Sequence, residues 1–99
     1  MAELDAKANA VILRRVASKT IAKAREAWIA NDGSVPALRA AYNACVLAAR
    51  LARKAADAWA HDAAIWKKLS DDADNLEIAM DDLLPKLSAR TVAGLLDPE

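Results

Sequence analysis

The 99-residue sequence predicts an all-α protein, an antiparallel helical bundle in which a long helical hairpin packs against an acidic third helix. Alanine, the best helix former, occurs 26 times, and only two glycines and three prolines are present to interrupt helices. Apolar or small residues also recur at alternating steps of three and four from Leu38 to Leu87. This spacing keeps them on one seam of a helix, which can be buried only against another helix.

The predicted seam is rich in alanine, so we expect closely approaching helices with coiled-coil-like packing. Only Asp62 interrupts the series. A chain of this length suits one domain, residues 1–99, with a single core. The seam consists of Leu38, Ala41, Cys45, Ala48, Ala52, Ala55, Trp59, Trp66, Leu69, Ala73, Leu76, Met80, Leu83 and Leu87.

The first helix is predicted over about residues 4–30 and is apolar on two sides. A helix of this kind needs two partners, which makes a homodimer the expected state. The inner side carries Ala6, Ala10, Leu13, Ala17, Ile21, Ala24 and Trp28. The opposite side carries Leu4, Val11, Ile12, Ala22 and Ile29.

The clearest turn signal is the segment 31–36, Asn-Asp-Gly-Ser-Val-Pro. Asn31 or Gly33 can end the first helix in the left-handed conformation, and Pro36 suits a first helical turn. The second helix therefore begins near residue 36 and is assigned to about residues 36–69. Its end rests on weaker signals: a break at Ser70–Asp71 is preferred, a break near His61–Asp62 is second, and an uninterrupted helix as far as Pro85 is third.

A third helix follows over about residues 71–84, because Pro85 removes an amide donor and clashes with the preceding turn. A short helix over about residues 85–93 closes at Gly94, and residues 94–99 form a loosely held tail.

Charge is distributed unevenly although the formal net charge is zero. Residues 1–69 carry 12 Lys/Arg and 6 Asp/Glu, whereas residues 70–99 carry 2 and 8. Oppositely charged segments of this kind can neutralise each other on folding, which is the interpretation we favour, or form two oppositely charged faces.

The longest apolar run, residues 44–49, is far too short to cross a membrane. One cysteine, Cys45, excludes an internal disulfide, and a cytoplasmic protein is expected.

No constellation of residues suggests catalysis, a metal site or a cofactor. His61 is the only histidine, and we interpret it as a surface residue bonded to Asp57 one turn earlier. Acid-base chemistry would need a second candidate group, and phosphate binding would need a glycine-rich loop. We therefore expect a protein that is not an enzyme.

The most suggestive feature is Ile78, an apolar residue that projects among the carboxylates of the third helix. An apolar centre with a charged rim resembles a small protein interface suited to a basic partner. The predicted partner-binding residues are Asp71, Asp74, Glu77, Ile78, Asp81 and Asp82.

The leading hypothesis is a non-enzymatic interaction module, a small adaptor, inhibitor or immunity-type protein that occludes a partner's surface. In one form, the acidic helix competes with nucleic acid for a basic groove on the partner. The alternative is a nucleic-acid-binding helical module that uses the basic flanks of helices one and two, although binding of this chain to nucleic acid is not expected.

Overall fold

The structure, a computed structural model, describes the backbone of residues 2–96 and the side chains of residues 7–90. It contains three α-helices, α1 (Ala2–Ala30), α2 (Val35–Ala58) and α3 (Ala63–Leu96). The Cα atoms span 61 × 21 × 19 Å. Helix α2 is central, because it packs extensively against both other helices, whereas α1 and α3 contact each other at few places.

Short side chains close the turn between α1 and α2. Gly33 has a φ of +83°, the left-handed conformation that a glycine adopts without strain. The Gly33 amide donates to Asn31 Oδ1 at 3.2 Å, and the Ser34 amide donates to Asp32 Oδ1 at 2.9 Å. Ser34 then caps α2, because its Oγ accepts a 3.3 Å hydrogen bond from the Ala37 amide. The turn therefore satisfies amides that neither helix can pair.

The preferred break of the second helix at Ser70–Asp71 is wrong, and the alternative near His61–Asp62 matches the structure. Helix α2 ends at Ala58 and α3 begins at Ala63. Asp62 explains the position, because its Oδ1 accepts a 3.2 Å hydrogen bond from the amide of Ile65, three residues later. This is the geometry of an N-cap. The predicted helix over 36–69 is therefore two helices, and Ser70 and Asp71 lie inside α3.

The predicted helices over 71–84 and 85–93 are one continuous helix, which runs through Pro85 to Leu96. Pro85 leaves the carbonyl of Asp81 without its usual helical donor, but both residues are exposed and water can reach that carbonyl. On either side of Pro85, Leu83 remains in the core and the half-buried Leu87 packs against it. The predicted tail is thus helical over residues 94–96, and residues 97–99 lie outside the part of the chain that the structure describes.

The core is built mainly from alanine methyl groups on the predicted seam. Leu38 and Cys45 are its largest buried side chains on α2, and Leu83 is the largest on α3. Trp66 departs from the prediction, because it is 46% exposed. Trp66 shares the face of the buried Ala73, seven residues later, but it lies in the first turn of α3, next to the break at residues 59–62. The buried alanines of α2 are Ala41, Ala48, Ala49, Ala52, Ala55 and Ala56.

Candidate protein-binding site

All six predicted partner-binding residues are exposed on the same helix, α3. We call them the acidic surface: Asp71, Asp74, Glu77, Ile78, Asp81 and Asp82. Ile78 is 62% exposed and lies on the opposite side of α3 from the buried Leu76 and Leu83. The helical spacing that buries every third or fourth residue places this isoleucine among carboxylates rather than in the core.

One edge of the acidic surface is tied to α2 through Arg53. Its guanidinium donates to Asp74 Oδ1 at 2.7 Å and to Glu77 Oε1 at 3.0 Å. The hydrogen bond to Asp74, and then that to Glu77, raise the pKa of Arg53. All three side chains are about half exposed, so solvent screens these pairs and they contribute little to stability. Their role is to fix the edge of the surface in place.

The other edge is tied to α1 through Asp82. Lys86 Nζ lies 3.2 Å and Trp28 Nε1 lies 3.4 Å from Asp82 Oδ2. Both hydrogen bonds lower the pKa of the Asp82 carboxyl, and the one from Lys86 has the larger effect. The Trp28 contact is long for a hydrogen bond, so it orients the indole more than it binds the carboxylate.

The middle of the surface has no such ties. Within residues 7–90, no cation lies within 4 Å of the carboxylates of Asp71 or Asp81. Ile78 is thus an apolar side chain between two acids whose charge no cation among the described side chains pairs. A basic partner could bind all three groups without first displacing an internal ion pair.

Asp72 links two helices, a role that the sequence analysis did not single out. The side chain is 13% exposed and accepts from Arg25 at 3.2 Å and from Lys68 at 3.4 Å. Arg25 comes from the basic α1, so this contact, like that of Arg53, pairs the basic and acidic segments. Lys68 lies one helical turn before Asp72, so the sequence alone indicates the ion pair between these two residues.

A second exposed surface lies on α1 and α2. We call it the hairpin face and define it by Ile12, Val16 and Leu47 with the cations Lys19, Lys23, Arg50 and Lys54. The three apolar side chains are 56%, 44% and 54% exposed, respectively. The α2 part of this face borders an open, mainly apolar groove of about 770 Å³, lined in part by Tyr42, Val46, Leu47, Leu51 and Met80.

The single histidine forms a different contact from the one predicted. The ring of His61 stacks on Trp59 with centroids 5.4 Å apart, and the interpretation that it bonds Asp57 is wrong. The guanidinium carbon of Arg14 lies over the ring of Trp59, 5.5 Å from its centroid.

Cys45 is buried, and burial raises the pKa of its thiol, which disfavours a reactive thiolate. Among the described side chains, no three His, Cys, Asp or Glu residues are grouped closely enough to hold a metal ion.

Comparisons of the chain with protein-family models, with curated proteins and with solved structures found no match. Over residues 2–96, no helix combines the length and the apolar character that crossing a lipid bilayer requires.

Proposed function

We propose that this chain is a non-enzymatic protein–protein interaction module, a small adaptor, inhibitor or immunity-type protein. It acts by occluding a basic surface of its partner with the acidic surface of α3. The single observation that carries this proposal is the 62% exposure of Ile78 between Asp71 and Asp81, which form no ion pair among residues 7–90. Interfaces depend on a few apolar anchors surrounded by polar groups, and this arrangement has both elements.

The chemistry of the acidic surface suggests the kind of partner. Asp71, Asp74, Glu77, Asp81 and Asp82 present carboxylates along about three turns of one helix. A protein groove that binds the phosphates of nucleic acid carries the complementary charge. In this form of the proposal, the chain displaces nucleic acid from its partner. Raised salt weakens such a complex, because exposed charges are screened over about 10 Å near 0.1 M.

The test begins with extract of the source cells passed over immobilised wild type, Ile78→Arg and Ile29→Arg. Ile29 is the matched control, because it is also an exposed isoleucine but lies on α1. The candidate partner is a protein retained by wild type and Ile29→Arg but not by Ile78→Arg. It is then purified and titrated with all three variants, and its bound nucleic acid is followed during the titration.

We expect Ile78→Arg to weaken the purified complex by at least about 30-fold, which corresponds to roughly 2 kcal/mol. Ile29→Arg should bind like wild type, and all three should unfold at similar temperatures. A complex that tolerates Ile78→Arg would exclude this surface as the binding site. A complex that is insensitive to salt would exclude the nucleic-acid-competition form.

We also propose that α1 and α2 form an antiparallel hairpin with coiled-coil-like alanine packing, and that the chain associates with itself as a homodimer. The hydrogen bond from Trp59 Nε1 to the carbonyl oxygen of Ala10 supports the hairpin, because it joins the end of α2 to the first half of α1. The exposed Ile12, Val16 and Leu47 support self-association. A reducing cytoplasm, compatible with the single cysteine, is the proposed location.

A second candidate function is binding of nucleic acid through the basic flanks of α1 and α2. The specific observation in its favour is that Lys19, Lys23, Arg50 and Lys54 have no carboxylate within 4 Å among residues 7–90. Mobility-shift titration with generic DNA and RNA tests it. Binding that falls steeply with salt, and that is lost on Lys23→Glu, would favour this candidate, and no shift would exclude it.

A further inference from the structure

The two helices of the hairpin carry the same surface pattern. On α1, Val16 is followed by Lys19 three residues later and Lys23 seven residues later; on α2, Leu47 is followed in the same way by Arg50 and Lys54. Residues at these steps lie within about 60° of one another on a helix, so each apolar side chain is beside two cations. Among the side chains of α1 and α2 that the structure describes, the exposed carboxylates are Glu26 and Asp57, fewer than these four cations.

The part of the hairpin face on α1 points away from α3. Arg25 contacts Asp72 of α3, and Val16 is nine residues earlier on α1, so it points about 180° from that contact. Arg53 contacts Asp74 and Glu77, and Leu47 is six residues earlier on α2, so it points about 120° from them. Val16 therefore lies outside the contacts that hold α3, whereas Leu47 lines the groove between α2 and α3 together with Glu77 and Met80.

The acidic surface also points outward. Ile78 is turned about 140 to 160° from the buried Ala73, Leu76 and Leu83. The hairpin face and the acidic surface thus share the groove between α2 and α3, which Arg50, Lys54 and Glu77 all line. They still leave Asp71 and Asp81 without a cation within 4 Å among residues 7–90. Between two chains they can meet, with an apolar centre on each side and opposite charges around it.

We propose that the hairpin face binds the acidic surface of a second copy of this chain, head to tail. The inference rests on the proposed function, because it uses the same surface of α3. The net charge of zero removes the general repulsion between copies that a strongly charged protein would have. A symmetric pair of hairpin faces would instead bring Lys23 and Lys54 of one copy against the same cations of the other.

A head-to-tail contact has a distinctive consequence. Where the rotation closes two chains on each other, two such contacts form the homodimer proposed above. Where it does not, one hairpin face and one acidic surface stay free, and association continues beyond the dimer as concentration rises. A basic partner that covers Ile78 competes with this contact. Partner binding should therefore convert self-associated chains into one-to-one complexes.

The test uses two variants, each with one damaged surface. Ile78→Arg keeps the hairpin face, and Leu47→Glu keeps the acidic surface. Sedimentation at low salt should give wild-type masses that rise with concentration above 10.6 kDa, whereas each variant alone remains at that mass. An equimolar mixture of the two variants should form a one-to-one pair of about twice that mass, which does not grow further. Salt at 1 M should dissociate it.

Three outcomes would overturn the head-to-tail contact: a wild type that stays monomeric at every concentration, a mixture that stays monomeric while the wild type associates, and self-association of Ile78→Arg alone. The charge reversals Lys54→Glu and Asp81→Lys repeat the test at exposed positions that cannot disturb the core. Binding of the foreign partner by Leu47→Glu is measured in parallel. It should be retained, so loss of self-association and loss of the proposed function give different results.

Discussion

The indole nitrogen of Trp59 donates a 2.8 Å hydrogen bond to the backbone carbonyl oxygen of Ala10. The contact joins the residue after α2 to the first half of α1, across 49 residues of sequence. Arg14, one turn beyond Ala10, covers the same indole ring at 5.5 Å. Trp59 therefore fixes the end of α2 against α1 where the chain turns toward α3.

Removing this hydrogen bond should destabilise the fold. Trp59→Phe keeps an aromatic ring but loses the donor, so we expect the free energy of unfolding to fall by about 1 kcal/mol. Trp66→Phe is the matched control, because Trp66 is exposed and has no hydrogen bond from its ring nitrogen within residues 7–90. It should change stability by less than about 0.5 kcal/mol. Equal decreases in unfolding free energy for the two variants, measured by urea denaturation, would contradict the role assigned to Trp59.

The sequence was informative about the seam and misleading about its interruption. Period and alanine content predict the buried face of α2 because each position is set by local helical geometry. The break was misplaced because Ser70–Asp71 and Asp62 both offer capping side chains, and capping propensity alone does not choose between them. What decides is that Trp59 must turn back to reach Ala10, a contact distant in sequence. Asp62, the only residue that interrupts the seam, marks the correct position of the break.

Capping by Asp62 gives a direct test of the break. Asp62→Ala removes the acceptor for the Ile65 amide and should cost about 1 kcal/mol of unfolding free energy. Asp71→Ala should have little effect, because Asp71 lies exposed inside α3 and has no ion pair among the described side chains. If denaturant titrations show a larger decrease in unfolding free energy for Asp71→Ala than for Asp62→Ala, the helix break lies at residue 71 instead.

The alanine seam should not tolerate larger side chains. Ala48 is fully buried in the centre of α2. Ala48→Leu adds three carbon atoms where helices meet, and the resulting strain should cost about 1–3 kcal/mol. Ala40→Leu makes the same change at an exposed position of the same helix and should be near neutral. Thermal unfolding of both variants provides the comparison, and unchanged stability of Ala48→Leu would mean that the helices are not closely packed there.

Stability should fall in acid. The pKa of Asp82 is lowered by hydrogen bonds from Lys86 and then Trp28, and that of Asp32 is lowered by hydrogen bonds from Ser34. A carboxyl with a lowered folded pKa stabilises fully above its unfolded pKa of about 4. That stabilisation disappears as pH falls through the folded pKa. Asp82→Asn should thus lose less stability than wild type between pH 7 and pH 3, and an equal loss would contradict the assignment.

The candidate site was predictable in outline, since helical spacing alone places Ile78 among carboxylates. Which of its carboxylates form ion pairs was not predictable. Arg53 contacts Asp74 and Glu77 from another helix, and such pairings depend on the register between helices. Of the hairpin face, only Ile12 was predicted, as part of the opposite apolar side of the first helix. The repeated pattern of one apolar residue and two cations on this face is recognised only when α1 and α2 are compared as neighbouring helices.

The most direct test of the central claim is the dissociation constant of the purified partner for Ile78→Arg, measured beside that for Ile29→Arg. The account predicts that Ile78→Arg binds at least about 30-fold more weakly than wild type, whereas Ile29→Arg binds equally well. If both variants bind within twofold of wild type, the acidic surface of α3 is not the site at which this protein meets its partner.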